Sequence, residues 1–199
     1  MPAVARKSAP RWATYQDVLN APAHQVAEIL HGELFLFPRP AIPHAEAGSE
    51  LGGQLRVRFG GRGGGPRAPG GWRILDEPEL HFTDDLGRLA VVVPDIAGWR
   101  LARMPVTPEV AFIELAPDWL CEVVSPGTAR VDRMRKVPLY AQQGVPWVWL
   151  VDPKAETVEV LELRDGTYSL VQTAEGNDKK AKLRPFDAVG FDLRRWWGR

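Results

Sequence analysis

Apolar residues along this chain follow two spacings, and the spacing changes at each cluster of glycine or proline. Between residues 44 and 59, Ala47, Leu51, Leu55 and Phe59 recur at every fourth position, which predicts an amphipathic helix. Residues 24–30 and 33–37 predict two strands joined by a tight turn at His31-Gly32, the second closed by Pro38 and Pro40. Residues 14–19 predict a short helix, and 72–75 and 80–82 short strands. Three continuous apolar runs, 89–93, 119–124 and 147–151, predict buried strands. The first ends at Pro94-Asp95 and is expected to resume over 96–99 beyond the proline, at an edge or a bulge. Residues 129–143 predict a helix with Thr128 as N-cap, Gly144 as stop and a kink at Pro138. Segments 158–163 and 168–172 predict a hairpin around Asp165-Gly166, and 186–197 a short strand with an aromatic tail. The class is α+β with an α/β core: one mixed sheet flanked by helices, with additional N-terminal and C-terminal β-hairpins. Neither a repeat nor a linker divides the chain, so 1–199 is expected to form a single domain.

Composition changes this picture in a few places. Seven of the 19 glycines fall between residues 60 and 71, which makes that window a loop between periodic segments. Lys and Arg number 25 and Asp and Glu 25, so the net charge is zero, which excludes binding to nucleic acid by bulk electrostatics but not by a local groove. One cysteine, Cys121, excludes an intramolecular disulfide and a cysteine zinc cluster. The four histidines, His24, His31, His44 and His81, show no metal-binding spacing, so a metal site is expected to use carboxylates. With no long apolar span and no apolar segment in residues 1–10, neither a membrane association nor a secretory signal is expected, and the cytoplasm is the expected compartment.

The candidate chemistry lies at the ends of the apolar runs. Asp95 follows one of them and Glu122 lies inside another, where a carboxylate is costly unless paired, hydrogen-bonded or bound to a metal. Either alone reads equally as a satisfied structural group. Two on strands that pair favour a shared ligand. Strand alternation puts Glu122 and Val124 on one face and Cys121 and Val123 on the other, so Cys121 reads as a buried apolar residue. On the following helix Asp132, Lys136 and Tyr140 share a face, and Lys136 reads either as a surface partner of Asp132 or as part of the site.

These residues carry a resemblance. Pro94-Asp95 followed by Glu122-Val123-Val124 resembles the signature of the PD-(D/E)XK nuclease superfamily. The string from Trp119 to Thr128, then Asp132, Lys136, Leu139-Tyr140-Ala141, Gly144-Val145-Pro146 and Trp149 to Pro153, resembles its bacterial branch labelled putative restriction endonuclease. Upstream the likeness takes in His31-Gly32-Glu33-Leu34, His44, Asp76 to Leu80 and Pro94 to Trp99, and it spans about residues 15–192. The resemblance implies a restriction-endonuclease-like core and an endonuclease that hydrolyses DNA phosphodiester bonds with Mg²⁺, or Mn²⁺, held by Asp95 and Glu122. The motif lysine two residues after Glu122 is replaced by Val124, and Lys136 is the candidate to orient or activate water. Glu33 and His44 are supporting candidates, Glu33 as a third carboxylate.

For DNA, residues 53–73 carry Arg56, Arg58, Arg62, Arg67 and Arg73 without an acid, and Arg130 begins the later helix; these arginines read either as phosphate contacts or as a solvated loop. The tryptophans read better as core than as base-stacking groups. A homodimer is expected only by analogy with nucleases that cut both strands. The competing readings are a catalytically weak nucleic-acid-binding or mobile-element accessory protein with the same fold, and a two-carboxylate hydrolase of another kind.

Overall fold

The computed structural model describes residues 11–63, 65 and 68–198. Arg67, Arg199 and the first ten residues lie outside the described residues. After helix α1 (Tyr15–Leu19) the chain forms strands β1 (Gln25–Leu30) and β2 (Glu33–Pro38), then helix α2 (Ile42–Phe59). Strands β3 (Trp72–Asp76), β4 (Leu80–Thr83), β5 (Leu89–Val92), β6 (Ile96–Arg100) and β7 (Trp119–Val123) follow. A helical segment made of α3 (Ala129–Val131), a π-turn over Asp132–Lys136 and α4 (Val137–Gln142) leads to β8 (Trp147–Asp152), β9 (Thr157–Arg164) and β10 (Thr167–Glu175), with a 3₁₀ turn at Leu193–Trp197.

The strands form two sheets, ordered β2-β1-β5-β4 and β10-β9-β8-β7-β6-β3. The larger one is mixed: only β7 and β8 run parallel, which requires the helical crossover between them. One sheet was expected, and the break falls at Pro94. The run 89–93 does not resume in the same sheet; β5 pairs with β1 and β4, whereas β6 pairs with β3 and β7. A proline has no N–H for a ladder, so pairing stops there and the chain passes from one sheet to the other.

Alternation along β7 and β8 sorts the interior into two clusters. Trp119, Cys121, Val123, Trp149 and Val151 face α2 and the C-terminal segment, where Leu51, Leu55, Phe186, Phe191 and Trp196 cover them. Leu120, Val148 and Leu150 face the smaller sheet and α4, against Leu30, Val92, Leu139 and Tyr140. The tryptophans expected in the core are there: Trp72, Trp99, Trp149 and Trp196 are buried, with Trp147 and Trp197 packed at the margin.

The expected kink at Pro138 takes the form of the π-turn. Pro138 lies in the first turn of α4 and cannot donate a hydrogen bond backwards, and the helix widens just before it, with the Val137 N–H reaching the Asp132 carbonyl. Thr128 makes no side-chain cap; its hydroxyl lies 3.0 Å from that of Ser125 and closes the preceding turn. Both hairpin turns are as expected, with φ positive at His31-Gly32 and at Asp165-Gly166, as type I′ turns require. The expected strand in 186–197 reduces to a bridge between Ala181 and Phe191. No helix among the described residues is long and apolar enough to cross a membrane.

Candidate functional site

The break at Pro94 creates the site. Asp95 stands at the crossing between sheets, and β6 pairs with β7 in a register of Ile96 with Cys121. One step further along that antiparallel register, Asp95 comes opposite Glu122. One Asp95 oxygen accepts the Val123 N–H at 2.6 Å, and the other lies 3.3 Å from His44 Nε2 in the first turns of α2. From the smaller sheet, β1 contributes Glu28, whose Oε1 accepts the Val93 N–H at 2.8 Å. Both sheets and α2 therefore send polar groups to one place.

Lys136 joins them. Its ammonium lies 2.9 Å from Glu122 Oε1, 3.0 Å from Glu28 Oε1 and 3.9 Å from Asp132 Oδ1. The hydroxyl of Tyr140 donates to Glu122 Oε1 at 2.5 Å. Glu28, Glu122, Asp132 and Lys136 are all buried. Burial pushes the carboxyls of Glu28, Glu122 and Asp132 above their ordinary range, against the nearby ammonium, which favours the charged form. Burial alone would lower the lysine; the charges of Glu122, Glu28 and Asp132 outweigh it and hold Lys136 well above its usual value. Burial likewise raises Tyr140 and Cys121. Burial opposes the protonated form of His44, and its bond to Asp95 more than offsets that, leaving it raised.

The cluster forms the floor of a cavity of about 370 Å³. Val26, Phe37, Pro38 and Ala41 wall it on one side, and the Ser125–Thr128 turn on the other. Glu77 adds an exposed rim carboxylate in a left-handed conformation, φ 44°, with its N–H bonded to the Asp95 carbonyl.

Asp95, Glu122, Lys136 and His44 thus line one cavity. Glu33 does not. It is exposed at the start of β2 because it lies at the turn end of the hairpin, opposite Leu30, whereas Glu28 and Phe37 further along the pair reach the cavity. Glu28 supplies the third carboxylate, and its signal was visible as a lone acid in the apolar run Val26 to Leu30, the same pattern that singled out Glu122. The arginines also divide. Arg56 pairs with Asp76, and Arg58 donates to the Gly190 carbonyl at 2.6 Å and lies over Phe191. Both sit at the far end of α2, about 20 Å along the helix from His44 at its 1.5 Å rise per residue. Arg62 is exposed beyond them. Of the arginines singled out in the sequence, Arg130 comes nearest, exposed two residues after Thr128 of the cavity wall but facing a neighbouring surface hollow, while Arg39, which the sequence did not single out, lines the cavity itself.

Among the described residues no three His, Cys, Asp or Glu side chains converge tightly enough to enclose a metal ion. The donor chemistry nevertheless suits a hard cation. Three buried carboxyl groups share one ammonium, more acid groups than it can pair, and Glu28 Oε2 is buried without a hydrogen-bond partner among the described residues. Mg²⁺ needs only one or two carboxylates and fills its remaining positions with water.

Comparison with known proteins bears on the fold and the family. A crystal structure of a putative nuclease belonging to DUF820, from Anabaena variabilis ATCC 29413, superimposes with a TM-score of 0.72 at 19% identity, covering 94% of this chain and 98% of that one. At that identity the likeness speaks for the fold alone, and it bears out the restriction-endonuclease-like α+β architecture. No curated protein matches the chain. The family model described as "Uma2: Putative restriction endonuclease" matches residues 12–194, nearly the whole length, and the chain belongs to that family.

Proposed function

We propose that this protein is a metal-dependent endonuclease that hydrolyses DNA phosphodiester bonds at the Asp95–Glu122–Lys136 cluster. The observation that carries the reading is the surplus of buried carboxylate at the floor of an accessible cavity. A fold gains little from such a cluster, since buried ion pairs are often no more stabilising than apolar residues of similar size. Membership of the Uma2 family and a nuclease-like fold support the same reading.

Asp95 and Glu122 would hold the Mg²⁺ or Mn²⁺ ion, with Glu28 close behind. Such an ion supplies Lewis-acid polarisation of a phosphate and offsets the charge that builds during in-line displacement. The remaining roles belong to the chain. Lys136 and Tyr140 both bond Glu122 Oε1 and fix that carboxylate, while the Val123 N–H and His44 hold the two oxygens of Asp95. Lys136 would stand in for the motif lysine: Val124 cannot supply a charge, and the long lysine stem reaches from the π-turn to within 2.9 Å of Glu122. Its ammonium places fixed positive charge where negative charge develops on phosphorus, and orients the attacking water. The substrate strand would enter past Arg130 rather than along the 53–73 loop.

The test is incubation of the purified protein with supercoiled plasmid in Mg²⁺, in Mn²⁺ and with EDTA, alongside Asp95→Ala. Cleavage is expected with metal, and neither with EDTA nor in the variant. A folded protein that cuts under no metal condition overturns the enzyme reading in favour of a nucleic-acid-binding role. Cleavage indifferent to EDTA overturns the metal assignment.

A further inference from the structure

The two sheets have four edge strands, and three are protected. β4 is four residues long and its His81 N–H bonds the Ile113 carbonyl. β3 meets Gly60 and Gly61 at Trp72. β10 carries a bulge between Leu170 and Gln172, and the Gln172 side chain bonds both the Lys182 carbonyl and the Arg184 N–H. These are the usual devices against edge-to-edge pairing. β2 has none of them along its middle. It is paired without a shift to β1 over all six residues and apolar from Leu34 to Phe37, with Leu34 38% and Leu36 41% exposed.

The turn sets which backbone groups are free. In a two-residue type I′ hairpin the flanking pair, Leu30 with Glu33, is hydrogen-bonded. Bonding alternates from there, so Glu33, Phe35 and Phe37 spend their N–H and C=O groups on β1. Leu34 and Leu36 point theirs outward, and no partner for them is found among the described residues.

We propose that β2 pairs antiparallel with β2 of a second copy of this chain, about a two-fold axis at Leu36, joining the two smaller sheets edge to edge. The strand is complementary to itself in that register. Leu36 would exchange both backbone bonds with Leu36 of the second copy. Leu34 would donate to the Pro38 carbonyl of the second copy, while Pro38, lacking an N–H, leaves the Leu34 carbonyl to water and ends the ladder there. Phe35 would lie opposite Phe37 of the second copy, on the face where Phe35 and Phe37 already stack at 6.2 Å. Glu33 would lie opposite Arg39 of the second copy at both ends of the pairing. Glu33 is exposed, and among the described residues the side chain of Arg39 bonds only the Ala23 carbonyl, at 3.2 Å, so both can turn toward the second copy. The charge match selects this register: shifted by one pair, to centre on Phe35, the strand would put Glu33 opposite Phe37 instead. A symmetric interface of this kind is closed and self-limiting, which removes the aggregation hazard of the bare edge.

The test is sedimentation velocity over a dilution series, which reads assembly without reference to cleavage. Wild-type protein is expected to dimerise reversibly. Leu36→Lys, which sets two like charges against each other on the axis, is expected to be monomeric with an unchanged circular dichroism spectrum. Glu33→Arg and Arg39→Glu are each expected to weaken the dimer by about tenfold, since opposed like charges across strands destabilise a pair. The double variant Glu33→Arg/Arg39→Glu is expected to restore it. A wild-type protein that stays monomeric up to about 100 µM, where even weak specific pairs associate, overturns the proposal. So does a dimer that survives Leu36→Lys, or a double variant as weak as the single ones.

Discussion

The two faces of β7 show what separates structure from chemistry in this molecule. On one, Cys121 and Val123 sit in an aromatic cluster where Trp119 and Trp149 meet edge to face at 5.0 Å and Phe186 lies 5.0 Å from Trp119. On the other, Glu122 is just as buried but is surrounded by Lys136, Tyr140 and neighbouring carboxylates. The first face holds only apolar area and ring contacts, which stabilise a fold directly. The second concentrates charge that burial disfavours and that only mutual pairing makes tolerable. One side of the strand is thus wholly apolar, and on the other Glu122 stands as a charged group between Leu120 and Val124 of the second core cluster.

Substitutions on the two faces should part ways accordingly. Lys136→Met leaves Glu28 and Glu122 buried without their cation. It should lower unfolding free energy by about 3–5 kcal/mol and cut cleavage at least about 100-fold, the order expected for removing a charge-stabilising donor. Isothermal titration should show Mn²⁺ affinity nearly unchanged; unchanged cleavage would remove Lys136 from the site. Trp149→Ala on the apolar face should cost about 3–5 kcal/mol as well, measured by urea unfolding. Its cleavage per folded molecule should stay near wild type, and a specific loss of activity would mean that the two faces are coupled. Tyr140→Phe removes one bond to Glu122 and should cost about 2 kcal/mol, with a few-fold slower cleavage and unchanged KM. The smallest effect belongs to the arginines. Arg130→Ala should weaken DNA binding and reduce the slope of its salt dependence by about one, while Arg62→Ala should change neither. The reverse outcome would restore the glycine-rich loop as the DNA path.

The apolar face was legible in the sequence because periodicity alone determines it: Ala47, Leu51, Leu55 and Phe59 on α2, and alternate residues of the runs 119–124 and 147–151, found their places in the core. The pairing of Asp95 with Glu122 was legible as carboxylates where burial is costly. Three features were not. The passage of the chain between sheets at Pro94 depends on tertiary pairing that no local pattern encodes. Glu28 was visible as a lone acid in an apolar run, but the burial on β1, in a separate sheet, that brings it to Lys136 was not. Composition also drew the Arg56–Arg58 segment toward DNA, although α2 carries it to the opposite end from the cavity.

The most direct test compares Glu122→Gln with wild type in two assays run on the same preparation, plasmid cleavage in Mg²⁺ and thermal unfolding. The substitution keeps the shape of the side chain and removes one buried negative charge, with Glu28 still beside Lys136. The account predicts cleavage reduced on the order of 10³-fold or more, with a melting temperature equal to or above that of wild type. Cleavage retained at wild-type level, or a collapse of stability that by itself accounts for the loss, would contradict the claim that this cluster is kept for chemistry.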